Sequence, residues 1–186
     1  MINLTKIQTM KFLREELTKL NNSPDNNVGI TVGMESEDNI FHWRATLTGP
    51  KDTPYSGGLF ILDIHFPDDY PAHAPEVCFR TPMYHVNVNP IKSDIGGESL
   101  GHVCISTLNW WRPDYRIREV LTNIFGLFYM ANPESPYGID RADELRNNKA
   151  LYDKKVKYYT RKYANALSCE ISHQYSQSWD FSDYIQ

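Results

Sequence analysis

The sequence predicts an α+β fold: an N-terminal helix, a four-stranded antiparallel meander sheet, an irregular loop, then C-terminal helices packed on one face of the sheet. Three observations carry this expectation. Apolar residues recur at spacings of three and four along the opening segment, as on one face of a helix. Four strand-like runs follow, joined by links of turn-forming residues, which is the pattern of a meander. From "RPDY" onward the periodicity is helical again.

Each element has its own warrant. Ile7, Met10, Leu13, Leu17 and Leu20 form the apolar stripe of the first helix, and Lys6, Lys11, Arg14, Glu15, Glu16 and Lys19 occupy its other face. The cluster "NNSPDNN" stops it, because Asn, Ser, Pro and Asp favour turns. The strand runs are "VGITVGM", "IFHWRATLTG", "LFILDIHF" and "EVCFRT". "ESEDN" suits a short hairpin loop, and "PKDTPYSGG" a longer one. Cys78 alternates into the fourth, apolar strand and reads as core. "RIREVLTNIFGLFYM" is apolar on more than one face, so it should be the buried central helix. "ANPESPYG" breaks it. The remaining periodic stretch should form surface helices, split near Asn147 and Asn148, and the polar segment 169–186 is left unassigned.

Composition narrows the function classes. The 186 residues suit one domain, and 41% hydrophobic with 23% charged residues is ordinary for a soluble globular protein. A net charge of -4 argues against a nucleic-acid surface, which needs clustered Lys and Arg. The charged opening segment reads as neither a signal peptide nor a membrane anchor. Cys78, Cys104 and Cys169 make an odd count with no CxxC pair, which fits free thiols in a reducing compartment, the cytoplasm or nucleus.

Chemistry concentrates in "GHVCISTLNWW", where Cys104 stands between aliphatic residues, 17 positions after Asn87 of "YHVN". Alone, such a cysteine would be core filler. A hydrolase dyad of Cys104 with His85 or His102 is a weak reading. So is a zinc site from Cys78, His85, His102 and Cys104, because the spacing lacks paired ligands. No metal and no cofactor is expected.

The ordered run Gly49-Pro50, Pro54-Tyr55-Ser56-Gly57-Gly58-Leu59-Phe60, Phe66-Pro67 with Tyr70-Pro71 and Pro75, Tyr84-His85-Val86-Asn87 and Gly101-His102-Val103-Cys104 resembles the ubiquitin-conjugating enzyme family. Trp111-Arg112-Pro113 and Asn132 to Pro136 extend the likeness in order, over residues 4–168, and residues 1–168 form the expected catalytic domain. The resemblance implies an acyltransferase of the ubiquitin conjugation pathway that carries ubiquitin as a thioester on Cys104 and passes it to a substrate lysine or a ligase. Two alternatives stay open: a ubiquitin-like cargo, or a non-catalytic variant that only binds ubiquitin. The implied partners are the activating enzyme, through the first helix, and ligases, through the loops around Ala72 and Pro113. No nucleic acid and no membrane is implied.

The implied site is Cys104, Asn87 and Ser135. Sulfur is both a strong nucleophile and a good leaving group, so thioester exchange needs no strong base. Asn87 matches the family's asparagine, whose amide would donate to the oxyanion during amine attack, with scaffolding of its loop as the other role. Ser135 stands where relatives carry Asp or Ser near the incoming lysine, and His85 is expected to bond within its loop. Tyr84, Trp111 and Pro113 read as scaffold, with Trp111 beside the active-site loop. The chain departs from the family at Val86, where a proline is usual, in the lengthened segment 88–100, and at Ala72, where a large apolar residue is common. The lengthened segment also carries Lys92, a candidate for self-modification by Cys104.

Overall fold

The computed structural model describes residues 4–22, 29–90 and 100–165. Helix α1 (Leu4–Asn21) precedes strands β1 (Ile30–Met34), β2 (His42–Thr48), β3 (Leu59–His65) and β4 (Glu76–Phe79). The one-turn helix α2 (Ser106–Asn109), α3 (Ile117–Leu127), α4 (Ile139–Asn147) and α5 (Lys149–Tyr163) complete the described chain. The sheet order is β1-β2-β3-β4 with every pair antiparallel, the predicted meander. The predicted split of the last helical stretch falls at Asn148, whose side chain caps α5 by accepting from Leu151 N–H at 3.1 Å.

Strand alternation divides the sheet into two unlike faces. Trp43, Ala45 and Leu47 of β2, Phe60, Leu62 and Ile64 of β3, and Val77 and Phe79 of β4 are all buried. They share one core with Leu13 and Leu20 of α1 and Ile117, Val120, Leu121 and Ile124 of α3. The outer face is polar. Arg80 grips Asp63 through a two-pronged contact at 2.7 and 2.5 Å, and His42 Nε2 lies 3.1 Å from the same carboxylate.

Four sequence expectations are corrected here. Cys78 lies on the outer face, half-buried beside Glu76, because Val77 and Phe79 take the inward positions of a period-two strand. The stripe of α1 holds at Met10, Leu13, Leu17 and Leu20, but it is joined by buried Thr9 and Glu16, while Ile7 is 46% exposed. Glu16, expected on the solvent face, is only 6% exposed. Its carboxylate accepts from the Ile117 N–H at 2.6 Å and the Tyr70 hydroxyl at 3.1 Å, and Thr9 Oγ1 donates to the Tyr70 carbonyl at 3.1 Å. The carboxylate thus sits at the positive end of α3, where negative charge is favoured. Helix α3 is also one-faced: Ile117, Val120, Leu121, Ile124 and Phe125 point inward, while Thr122, Asn123 and Gly126 are exposed.

Residues 23–28, which hold most of the stop segment, and residues 169–186, with Cys169, lie outside the described residues, as do Lys92 and most of the lengthened loop, while α1 ends at Asn21 as the stop segment begins.

Candidate active site

Cys104 ends an extended segment held on both sides. Phe79 N–H donates to Gly101 O at 2.8 Å, and His102 bridges Cys78. On the other flank Val103 bridges Val88, Asn89 N–H donates to His102 O at 2.9 Å, and Cys104 N–H donates to Asn87 O at 2.9 Å. Gly101 has φ +80°, and a side chain there would collide with the Phe79 backbone, so glycine is required. Gly101 N–H also donates to Asn89 O at 2.7 Å. The lengthened segment therefore leaves and returns between paired ends, and Asn87 stays joined to Cys104 backbone to backbone.

Asn87 is fully buried. Its Nδ2 donates to Asn132 O at 2.7 Å and Ser135 O at 2.9 Å, and its Oδ1 accepts from Asn132 N–H at 2.7 Å. The whole amide is thus engaged with the 132–135 loop, and of the two roles open to Asn87 this geometry is that of the scaffold. The loop so held presents Ser135, whose Oγ lies 3.1 Å from Cys104 Sγ. Arg146 braces the same loop from α4, donating to Pro133 O at 2.7 Å and Glu134 Oε1 at 3.0 Å.

The residues before Asn87 anchor this arrangement to the helices. His85 is buried, its Nδ1 accepting from Asn87 N–H at 2.9 Å, which leaves Nε2 to donate to Leu127 O at 3.2 Å. Burial pushes the imidazole down to about 4, so it is neutral at physiological pH. With both nitrogens committed, His85 bonds within and behind its loop, as expected, and is no partner for Cys104. Val86 is also buried, and its N–H, which a proline would lack, donates to Tyr152 Oη at 3.0 Å. The departure from the family's proline is therefore met by a specific acceptor on α5. Buried Arg141 of α4 donates to His85 O at 3.1 Å and approaches Val88 O at 3.4 Å. Tyr84 donates to Glu144 Oε2 at 2.9 Å and packs between Tyr152 and Tyr159, so it is scaffold.

Cys104 as a residue is half-buried, and its sulfur faces polar neighbours. Besides Ser135 Oγ it accepts from Asn109 Nδ2 at 3.4 Å. Asn109 closes α2, a helix the sequence reading missed because one turn is too short for periodicity. That turn is pinned by buried Leu108 and by Thr107, whose hydroxyl accepts from Asn123 Nδ2 on α3. Asn109, Asn132, Arg141 and Tyr152 were all missed as site residues, since no local pattern distinguishes them from surface or core.

Trp111 serves as scaffold between two loops. Its Nε1 donates to Pro71 O at 2.8 Å and its ring packs 5.7 Å from Tyr70, which ties the loop carrying Ala72 to that carrying Pro113. Ala72 is exposed. Arg112 and Asp114 flank Pro113 and pair with each other at 2.9 and 2.8 Å, both exposed. Lys6, Lys11, Arg14, Glu15 and Lys19 of α1 are exposed as well. No helix among the described residues is long and apolar enough to cross a membrane.

A half-buried cysteine, its thiol flanked by a hydroxyl and a carboxamide on a segment locked to an Asn-held loop, occurs here in a helix–meander–helix fold. The ubiquitin-conjugating enzyme family model matches residues 12–160, which contain the sheet, the site and nearly all of α5. The chain belongs to the ubiquitin-conjugating enzyme family.

Proposed function

We propose that this chain accepts ubiquitin from an activating enzyme as a thioester on Cys104 and passes it to a substrate lysine or to a ligase. The observation that carries the reading is the setting of the Cys104 sulfur: on a half-buried residue, 3.1 Å from Ser135 Oγ and 3.4 Å from Asn109 Nδ2, in a family-matching domain. In charging, the Cys104 thiolate attacks the carbonyl carbon of the activating enzyme's thioester. A new C–S bond forms, the old one breaks, and the partner thiolate leaves. This exchange needs no side-chain base, in keeping with a His85 whose nitrogens are both engaged.

In discharge, a neutral lysine amine attacks the Cys104 thioester, the C–N bond forms, the C–S bond breaks to release the Cys104 thiolate, and the proton lost by the nitrogen passes to solvent. Ser135 stands beside the reacting sulfur and orients the amine, with less electrostatic help than a carboxylate would give. Asn87 acts as a positioning residue by fixing the loop that carries Ser135. The exposed face of α1 receives the activating enzyme, and the joined loops around Ala72 and Pro113 receive ligases.

The test is a charging reaction with purified activating enzymes, ATP, and either ubiquitin or a ubiquitin-like modifier. Wild type should form a reductant-sensitive adduct with ubiquitin, Cys104→Ser a reductant-resistant ester, and Cys104→Ala none. Charging by a ubiquitin-like modifier alone would change the cargo but keep the chemistry. An adduct persisting in Cys104→Ala would end the assignment.

A further inference from the structure

Charge develops at two atoms during acyl transfer, the carbonyl oxygen in the tetrahedral intermediate and the sulfur on departure. Preorganised donors aimed at such charge supply the largest single part of many rate enhancements. Asn87 has no free donor in this site, because both its N–H groups already bond the Asn132 and Ser135 carbonyls. Turning either toward a substrate would give up one of these two bonds, each worth about 0.5–1.5 kcal/mol.

Asn109 is placed differently. Its Nδ2 points at the sulfur at 3.4 Å, it is exposed, and its carboxamide makes no other hydrogen bond among those described. Its backbone is fixed by the α2 turn, with Asn109 N–H donating to Ile105 O at 3.0 Å and Thr107 tied to Asn123. The thioester oxygen is only two bonds from Sγ, so a carboxamide already at the sulfur reaches it by a side-chain rotation while its backbone stays still. Ser135 Oγ lies 3.1 Å from the same sulfur.

We infer that Asn109 is a catalytic residue of acyl transfer, its Nδ2–H donating to the oxyanion formed when an amine attacks the Cys104 thioester. The balance is complete. The amine lone pair forms the C–N bond, and the carbonyl π pair moves to oxygen and is held by the Asn109 N–H. Its return expels the Cys104 thiolate, and the ammonium proton passes to solvent. This inference rests on the thioester reading above.

The experiment is single-turnover discharge of preformed enzyme–ubiquitin thioester into free lysine, at a series of lysine concentrations. Asn109→Ala and the isosteric Asn109→Asp, which lacks the donor, should lower the rate at saturating lysine by about tenfold or more, with half-saturation unchanged. The effect lies below the loss of about 10²–10³ seen for enclosed oxyanion donors, because Asn109 is open to water. Asn109→Gln, which keeps the amide, should recover part of the rate. The thermal midpoint reports on packing and should stay near wild type in Asn109→Ala. An unchanged saturating rate in both donor-less variants overturns the inference. So does a loss of rate matched by lost thermal stability in Asn109→Ala and not recovered by Asn109→Gln. If wild type itself never charges with any modifier, the proposed function has failed, and the inference falls with it.

Discussion

Replacing Asn87 by alanine separates a positioning role from a donor role. The side chain is fully buried and makes three hydrogen bonds, to Asn132 O at 2.7 Å, Ser135 O at 2.9 Å and Asn132 N at 2.7 Å. A net intramolecular hydrogen bond contributes about 0.5–1.5 kcal/mol, so losing three should destabilise by roughly 2–4 kcal/mol. For a domain of this size each kcal/mol shifts the midpoint by about 2–4 °C, which makes the expected fall in Tm roughly 5–15 °C. Because the released loop carries Ser135, charging and discharge should both slow in Asn87→Ala. Asn87→Asp keeps the acceptor toward Asn132 N–H but turns a carboxylate oxygen on two carbonyls, and it should do no better. Thermal unfolding and paired charging and discharge kinetics measure this. A variant as stable as wild type that charges normally but discharges slowly would refute the argument, since it would make Asn87 a free donor after all.

Two further outcomes follow from buried polar groups outside the sulfur's immediate surroundings. Burial raises the Glu16 carboxyl above its ordinary value of 4.5, against the opposing pull of the Ile117 N–H, the Tyr70 hydroxyl and Arg116. A raised acid binds more protons folded than unfolded, so this contribution to stability is full below 4.5 and is lost as pH rises through the raised value. The Tm advantage of wild type over Glu16→Gln should therefore shrink from about pH 4 to pH 7; a constant or widening gap, measured by thermal unfolding, would contradict the burial argument. At the second site, Tyr152→Phe removes the acceptor for the buried Val86 N–H and should cost about 1–3 kcal/mol. In a Val86→Pro background that N–H is gone, so Tyr152→Phe should cost less; equal costs in both backgrounds, by urea unfolding, would show that the bond is not coupled.

The sequence by itself determined the elements and their order. Period-two runs with short links fix an antiparallel meander because neighbouring strands can pair with little chain between them, and helical periodicity marks α1, α3 and α5 by the same local rule. It also determined, through ordered motifs, that Cys104, Asn87 and Ser135 belong together. What Asn87 bonds, and that Asn109 reaches the sulfur, only the tertiary structure decided. Asn87 finds its partners 45 and 48 positions away, and Glu16 finds its own 54 and 101 positions away. Asparagine in a turn and glutamate on a helix are read from sequence as solvent-facing, since their burial becomes favourable only when distant backbone groups replace the water they lose. The outward Cys78 and the inward Glu16 follow from the same cause: periodicity gives the spacing of a face, but packing against the other elements chooses which face is buried.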